Sequence, residues 1–118
     1  MKNIIFYSYP KCSSCRKASN WLDQKNINYQ FIDIVIEPPS KNILELALIE
    51  FSPDKKKIFN TRGNSFKALD FKINDLSNEK IVELLSNDGK LIKRPFLIIN
   101  KSKFIIGFKE SEYANLLI

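Results

Sequence analysis

The sequence predicts an α/β fold with a mixed sheet, built as a β-α-β half and a β-β-α half with a helical insertion between them at about residues 40–88. Two observations carry this prediction. The β-branched and aromatic run Ile4-Ile5-Phe6-Tyr7 is typical of a buried strand, and apolar residues at helical spacing follow it. Near the other end of the chain, residues 96–99 and 104–106 are apolar runs on either side of a polar turn, which indicates a β-hairpin.

The spacing of apolar residues predicts the remaining elements of the two halves. The first helix is predicted from Ala18, Trp21 and Leu22, and Lys25-Asn26 supplies its basic last turn and its stop signal. A second extended run follows after a short turn and contains Tyr29, Phe31, Ile32 and Ile34. A last helix carries Tyr113, Leu116 and Leu117. The 118 residues suffice for a single domain with its own core.

The insertion is predicted from capping signals. Ser40 and Ser77 each precede a stretch with helical periodicity, and a serine hydroxyl can accept a hydrogen bond from a free N–H of the first turn. We also expect Ser52-Pro53-Asp54 to open a short helix, with the serine as the cap, the proline at the first position and the acid in the first turn.

The chain has two cysteines, Cys12 and Cys15, and both lie where the first strand gives way to the first helix. Free backbone N–H groups and the positive end of the dipole favour an anion there, and Lys11 and Arg16 add positive charge. Such surroundings lower the pKa of a cysteine from about 8.5 to roughly 3.5–7.5. Cys15 lies one turn beneath Cys12, within reach of a disulfide. We therefore predict that Cys12 is the nucleophile and Cys15 the resolving thiol.

Other roles for the cysteine pair are less favoured by the sequence. A structural disulfide that closes a two-residue loop would remove little chain entropy from the unfolded state. A zinc site normally takes four ligands, and this chain has two cysteines and no histidine, so we expect no metal. A metal or an iron–sulfur cluster shared across a dimer remains an alternative.

Composition narrows the class of partner. The net charge of +6 could attract nucleic acid or an anionic substrate, but the lysines are scattered. The one compact run, Lys55-Lys56-Lys57, indicates a solvated helix face, so no direct nucleic-acid site is predicted. No apolar run is long enough to span a bilayer, and the start of the chain does not resemble a secretory signal. We therefore expect no membrane partner and a cytoplasmic location, where a cysteine pair is more often catalytic than structural.

Without the insertion, the order of elements is that of a thioredoxin or a glutaredoxin. Such folds place a proline, usually cis, immediately before the third strand and against the cysteine motif, and Pro95 stands directly ahead of Phe96. Arg94 would then bring a permanent cation with a forked set of donors close to Cys12. The alternatives are a proline at a strand edge and an arginine on the surface.

Several segments, taken together and in order along nearly the whole chain, resemble the ArsC family; they are residues 9–18, 34–40, 59–63, 88–95 and 107–110. That family includes arsenate reductases linked to glutathione or glutaredoxin, and the Spx transcriptional regulators. The resemblance implies a thioredoxin-like core with a helical insertion, a cis Pro95, a catalytic Cys12 and an anion-binding Arg94.

The match to the arsenate reductases is partial. Cys12 and Arg16 have the spacing of their catalytic cysteine and following arginine, but Ser8 stands where they have a histidine. Of their three arginines around the oxyanion, one corresponds to Arg94, and the other two fall at Asn60 and Lys109, with Arg62 nearby. The predicted anion- or substrate-binding residues are therefore Lys11, Arg16, Arg62, Arg94, Pro95 and Lys109.

The sequence thus predicts a cytoplasmic thiol–disulfide oxidoreductase with no bound cofactor. Its expected co-substrate is glutathione, its expected protein partner is glutaredoxin or thioredoxin, and its substrate is a disulfide or a small oxyanion. One alternative is an arsenate reductase that converts arsenate to arsenite. The other is an Spx-like redox-sensing regulator, whose partner would be RNA polymerase.

Overall fold

The computed structural model describes residues 2–118, and the chain divides into two compact units. The first unit contains the chain up to Asp33 together with Arg94–Ile118, and the second contains Ile34–Lys93. The first unit is therefore assembled from two separate chain segments.

The first unit is built on a four-stranded mixed sheet. Its strands are β1 (Ile4–Ser8), β2 (Gln30–Asp33), β3 (Phe96–Ile99) and β4 (Lys103–Ile106), in the order β2-β1-β3-β4. β1 runs parallel to β2 and antiparallel to β3, and β3 runs antiparallel to β4. The predicted α/β class with a mixed sheet is confirmed.

Two helices bury their apolar faces against this sheet. Helix α1 (Ser13–Gln24) connects β1 to β2, and helix α5 (Glu110–Leu117) follows β4. The Trp21 and Tyr113 rings meet edge to face with their centroids 5.8 Å apart. The buried cluster consists of Ile4, Phe6, Ala18, Trp21, Leu22, Leu97, Ile99, Ile105, Tyr113 and Leu117. Residues predicted from helical periodicity, namely Ala18, Trp21, Leu22, Tyr113 and Leu117, thus lie in this core, whereas Phe31 of the predicted second strand is 50% exposed.

The second unit is helical, and its longer helices begin at the predicted caps. Its α-helices are α2 (Lys41–Phe51), α3 (Asn64–Lys67) and α4 (Asn78–Asn87), and 3-10 helices span Lys55–Ile58, Ile73–Asp75 and Gly89–Leu91. The Ser40 hydroxyl accepts a hydrogen bond from the N–H of Ile43 at 3.3 Å, and the Ser77 hydroxyl accepts one from Lys80 at 3.1 Å. Both serine caps are confirmed.

The prediction for Ser52 is wrong, because this serine ends a helix instead of opening one. Its backbone N–H and its hydroxyl both donate to the carbonyl of Leu48, at 2.9 and 2.8 Å, and so close the last turn of α2. The Ser52–Pro53 peptide is cis. The next helical turn starts at Lys55, and Asp54 at its N-cap makes no side-chain capping hydrogen bond.

Candidate functional site

Cys12 is the N-cap of α1, as its position between strand and helix predicts. Its backbone is extended, with φ −96° and ψ 123°, and its N–H donates to the carbonyl of Tyr9 at 3.0 Å. Its Sγ accepts a hydrogen bond from the backbone N–H of Cys15 at 3.4 Å. The half-buried sulfur is therefore held against the free N–H groups of the first helical turn.

The surroundings of Cys12 favour its thiolate. The largest single effect is burial, which would raise the pKa, but hydrogen bonds from the side chain and backbone of Cys15 and then the hydrogen bond and positive charge of Arg94 outweigh it, so that the pKa of Cys12 is lowered. Of the three cations that the sequence predicted near Cys12, namely Lys11, Arg16 and Arg94, it is Arg94 that lowers the Cys12 pKa.

Cys15 has the opposite character. It lies in the first turn of α1 and is only 1% exposed. Burial is the largest effect and raises the pKa of Cys15 to about 11, together with its hydrogen bond to Cys12 and the negative charge of Cys12. Hydrogen bonds from Ser8 and from the backbone of Tyr9 act against this rise. Two cysteines three positions apart therefore have pKa values displaced in opposite directions.

The second chain segment of the first unit brings Arg94 and Pro95 to this junction. The Arg94–Pro95 peptide is cis, as the resemblance implies, and Pro95 is buried with its carbonyl accepting from the N–H of Gly107 at 2.9 Å. The Arg94 guanidinium lies over the Tyr9 ring, 5.1 Å from its centroid. Its Nη1 is buried and has no hydrogen-bond partner. One strong donor beside Cys12 is therefore unsatisfied.

The other predicted cations are dispersed over exposed positions. Lys11 immediately precedes Cys12, and Arg16 donates from Nη1 to the carbonyl of Pro10 at 3.1 Å. Lys109 is exposed at the N-cap of α5. Arg62 is exposed in the second unit, in the loop before α3. Of the predicted set, Arg94 and Pro95 thus accompany the cysteine pair most directly, and Arg16 is tied to the loop that leads into it.

Two contributors to this site were not assigned a role from the sequence. Ser8 was noted only as the residue that replaces a histidine, yet it is buried, lines the same cavity as Cys15, and acts through a hydrogen bond against the rise in the Cys15 pKa. Its alternation with Ile4 and Phe6 along β1 could have indicated that it faces α1. Tyr9 was treated only as part of the motif, and its ring contact with Arg94 joins residues that no local pattern relates.

Across residues 2–118, no group of three histidine, cysteine, aspartate or glutamate side chains is arranged to hold a metal ion. Within the same range, every helix is too short or too polar to cross a membrane.

Comparisons with known proteins find relatives that match nearly the whole chain. The model of the ArsC family matches residues 7–116. The uncharacterised protein YusI of Bacillus subtilis is 40% identical over 94% of this chain and 95% of its own length. The global transcriptional regulator Spx of Lactiplantibacillus plantarum is 31% identical over 97% of this chain and 86% of its own length. The crystal structure of a possible arsenate reductase from Streptococcus mutans is 38% identical over the full length of both chains, with a TM-score of 0.90.

Proposed function

We propose that this chain, which belongs to the ArsC family and has a thioredoxin-like fold, is a thiol–disulfide oxidoreductase. In this proposal Cys12 attacks a substrate disulfide and Cys15 resolves the mixed disulfide that results. The observation that carries this proposal is the placement of the two sulfurs: Cys12 is half-buried and caps α1, whereas Cys15 is buried one turn further on, and the pKa is accordingly lowered at Cys12 and raised at Cys15. A thiolate is the nucleophile in disulfide exchange, so the half-exposed Cys12 is ionised first and meets the substrate first.

In the first step, the Cys12 thiolate attacks one sulfur of a substrate disulfide. A bond forms between Cys12 Sγ and that sulfur, the substrate's S–S bond breaks, and the other sulfur leaves as a thiolate. The product is a mixed disulfide on Cys12.

In the second step, Cys15 displaces the substrate from Cys12. Burial is the main reason for the high pKa of Cys15, but the hydrogen bond to Cys12 and the charge of Cys12 also contribute, and both disappear once Cys12 carries a substrate sulfur. Cys15 therefore ionises more easily after the first step than before it. Its thiolate attacks Cys12 Sγ, the substrate leaves as a thiolate, and the two electrons of the dithiol have reduced the substrate. An external thiol, for which we propose glutathione or a glutaredoxin or thioredoxin, regenerates the pair.

Arg94 is proposed to bind the anionic part of the substrate. Its buried, unpaired Nη1 carries a desolvation cost of about 1–3 kcal/mol that a carboxylate oxygen would relieve. Glutathione carries two carboxylates, which suits this donor, and Pro95 is proposed to border the same site. Lys11, Arg16, Arg62 and Lys109 are proposed to supply longer-range attraction for an anion.

The test is the fate of reduced protein mixed with glutathione disulfide, followed by intact mass. Wild type should pass through a transient adduct to an internal disulfide and two equivalents of free glutathione. Cys15→Ser should accumulate the adduct, and Cys12→Ser, the matched control, should form none on the same time scale. Equal reactivity of the two single variants would contradict the assigned roles.

Arsenate reduction is a second candidate, because a buried, unpaired guanidinium nitrogen beside a thiolate also suits an oxyanion. In this reaction Cys12 would attack arsenic, with Arg94 and Arg16 holding the oxygens. Arsenite formation from arsenate in the presence of glutathione and glutaredoxin, lost in Cys12→Ser, would favour it over general disulfide exchange.

The name of the Spx relative supports a third role, redox-sensing regulation. Oxidation of Cys12 and Cys15 would remove a negative charge beside Arg94 and alter the start of α1, which is a local electrostatic switch. Binding to RNA polymerase that depends on the oxidation state, without turnover of disulfide or arsenate, would favour this role. For all three roles we propose a cytoplasmic location.

A further inference from the structure

Ser8 is exceptional among the polar side chains of residues 2–118, because it is as buried as the apolar core, with 4% of its surface exposed. It is the last residue of β1, and its alternation with Ile4 and Phe6 places it on the sheet face that packs against α1. A polar side chain in such a place requires a hydrogen-bond partner. The nearest candidate is Cys15, in the first turn of α1, whose pKa a hydrogen bond from the Ser8 side chain lowers against the effect of burial.

A cavity of about 250 Å³ adjoins this pair of residues. Ser8 and Cys15 both line it, and Arg16 and Ser19 of α1 and Phe31 of β2 form its walls. Since one water molecule occupies about 30 Å³ of liquid, the cavity has room for several waters next to the Cys15 sulfur. The Cys15 thiol is thus buried, but it lies next to a cavity in which water could accept its proton.

We propose that the Ser8 hydroxyl donates a hydrogen bond to the Cys15 thiolate as this thiolate forms, and thereby sets the rate at which Cys15 resolves the mixed disulfide on Cys12. This inference rests on the proposed oxidoreductase function and assigns a role to a residue outside the cysteine motif. Ser8 contacts a reacting sulfur, and it acts on the second chemical step and not on the first.

The atoms and electrons of this step balance within the site. The Cys15 thiol releases its proton to water in the cavity, and the Ser8 hydroxyl turns its hydrogen toward the new thiolate. The thiolate then forms a bond to Cys12 Sγ, the bond between Cys12 Sγ and the substrate sulfur breaks, and the substrate leaves with that electron pair and takes up a proton from water. No further oxidant or reductant is required.

The groups around Cys15 differ in their effect on its ionisation, and Ser8 has an effect that the others do not supply. The Cys12 charge opposes ionisation of Cys15, but it is absent once the mixed disulfide has formed. The Tyr9 backbone N–H favours the thiolate throughout, and Arg16 and Tyr29 line the cavity.

Tyr113 of α5 donates its hydroxyl to the carbonyl of Gly107 at 3.0 Å. Asp33 pairs with Ser8 in the β1–β2 register. Among these groups, we assign to Ser8 the side-chain hydrogen bond that favours the Cys15 thiolate.

The direct test measures the alkylation of Cys15 against pH in a Cys12→Ser background. There we expect Ser8→Ala to raise the midpoint by about one pH unit, because a hydrogen bond to a charged atom is lost. Ser8→Thr keeps the hydroxyl and should restore the original midpoint. Ser19→Ala, in the same cavity wall, is the matched control and should leave the midpoint unchanged. An unchanged midpoint in Ser8→Ala would overturn the proposal.

The kinetic test measures glutathione release from protein with glutathione on Cys12. A one-unit rise in pKa lowers the thiolate fraction tenfold near neutral pH, but it also makes the thiolate about threefold more nucleophilic, so resolution in Ser8→Ala should slow about three- to fourfold. At a pH above the pKa of Cys15 in both proteins, the thiolate fractions are equal, so Ser8→Ala, with the more nucleophilic thiolate, should release glutathione faster than wild type. A merely structural role would slow resolution equally at every pH and would overturn the proposal.

These two measurements separate this inference from the function on which it rests. If wild type forms no adduct on Cys12, the oxidoreductase proposal fails, whereas the alkylation midpoint of Cys15 still decides whether Ser8 stabilises the thiolate. If wild type forms and resolves the adduct but Ser8→Ala matches it at all pH values, only the role of Ser8 is refuted.

Discussion

Helices α1 and α2, one in each compact unit, begin with the same capping hydrogen bond, from the N–H three residues on to the cap side chain, but with different capping atoms. At α1 the Cys12 sulfur accepts from the N–H of Cys15 at 3.4 Å, and at α2 the Ser40 hydroxyl accepts from the N–H of Ile43 at 3.3 Å. Neither helix has an acidic residue in its first turn. A serine stays neutral there and only stabilises the helix, whereas a thiol can ionise, and the same hydrogen bond then lowers its pKa.

The two helix starts also differ in what lies beside the cap. Ser40 is exposed, whereas Cys12 is half-buried and receives the hydrogen bond and charge of Arg94. Capping geometry is therefore common to both units, and the added cation distinguishes the reactive site. Removing or transferring the capping thiol or the cation, one at a time, tests which of them makes the start of α1 reactive.

The largest effect is expected when the capping atom at α1 is exchanged for that of α2. Cys12→Ser keeps a side-chain acceptor for the N–H of Cys15, so thermal unfolding should show α1 intact and the stability changed by less than about 1 kcal/mol. Disulfide exchange should nevertheless be abolished, because the nucleophile is gone. Loss of the fold together with the activity would show that the sulfur stabilises the helix in a way that a hydroxyl cannot.

Removing the cation should have the next largest effect. Arg94→Ala should raise the pKa of Cys12 by about one unit, measured from the pH dependence of alkylation, since a hydrogen bond and a nearby positive charge are both lost. Arg94→Lys should recover only part of the shift, because an ammonium does not reproduce the fork of donors. Tyr9→Phe, which keeps the ring beneath Arg94, is the control that should behave as wild type. An Arg94→Ala midpoint equal to that of wild type would leave the helix start as the sole source of activation.

A smaller effect is expected when the thiol cap is transferred to α2. In a Cys12→Ser, Cys15→Ser background, Ser40→Cys should alkylate with a midpoint below that of free cysteine, about 8.5, yet above that of Cys12. The same position changed to alanine should destabilise the protein by about 1 kcal/mol. A midpoint as low as that of Cys12 would mean that capping alone accounts for the reactive thiol.

The smallest effect concerns stability as a function of pH. The folded-state pKa of Cys12 is lowered, so the free energy of unfolding should rise with pH between that pKa and the ordinary cysteine value. The folded-state pKa of Cys15 is raised to about 11, so from the ordinary value up to about 11 its contribution should decline. Denaturant titrations across this range should lose the rise in Cys12→Ser and keep the decline. A rise that persists in this variant would assign it to another group.

Features set by neighbours along the chain could be predicted from the sequence. Cys12 as a helix cap, Ser40 and Ser77 as caps and the proline ahead of β3 all depend on residues within a few positions of one another. Ser52 shows the limit of such local signals, because a serine hydroxyl can either accept from a following N–H or donate to a preceding carbonyl. The sequence does not reveal which partner is available, and the last turn of α2 supplies the carbonyl of Leu48.

Contacts made through space could not be predicted in the same way. The stacking of Arg94 on Tyr9 joins two distant chain segments, and the Ser8–Cys15 hydrogen bond depends on the height of α1 above β1. The sequence therefore predicted the two cysteines at the start of α1 and Arg94 near them, whereas the contacts of Tyr9 and Ser8 with these residues followed only from the packing.

The assembly of the first unit from two chain segments has a consequence during synthesis. Both cysteines lie in the segment made first, and Arg94 lies in the segment made after the whole of the second unit. A growing chain on the ribosome therefore carries both thiols before it contains Arg94, one of the groups that lower the Cys12 pKa. The pKa of Cys12 is therefore expected to be lower in the folded protein than in a nascent chain that ends before Arg94.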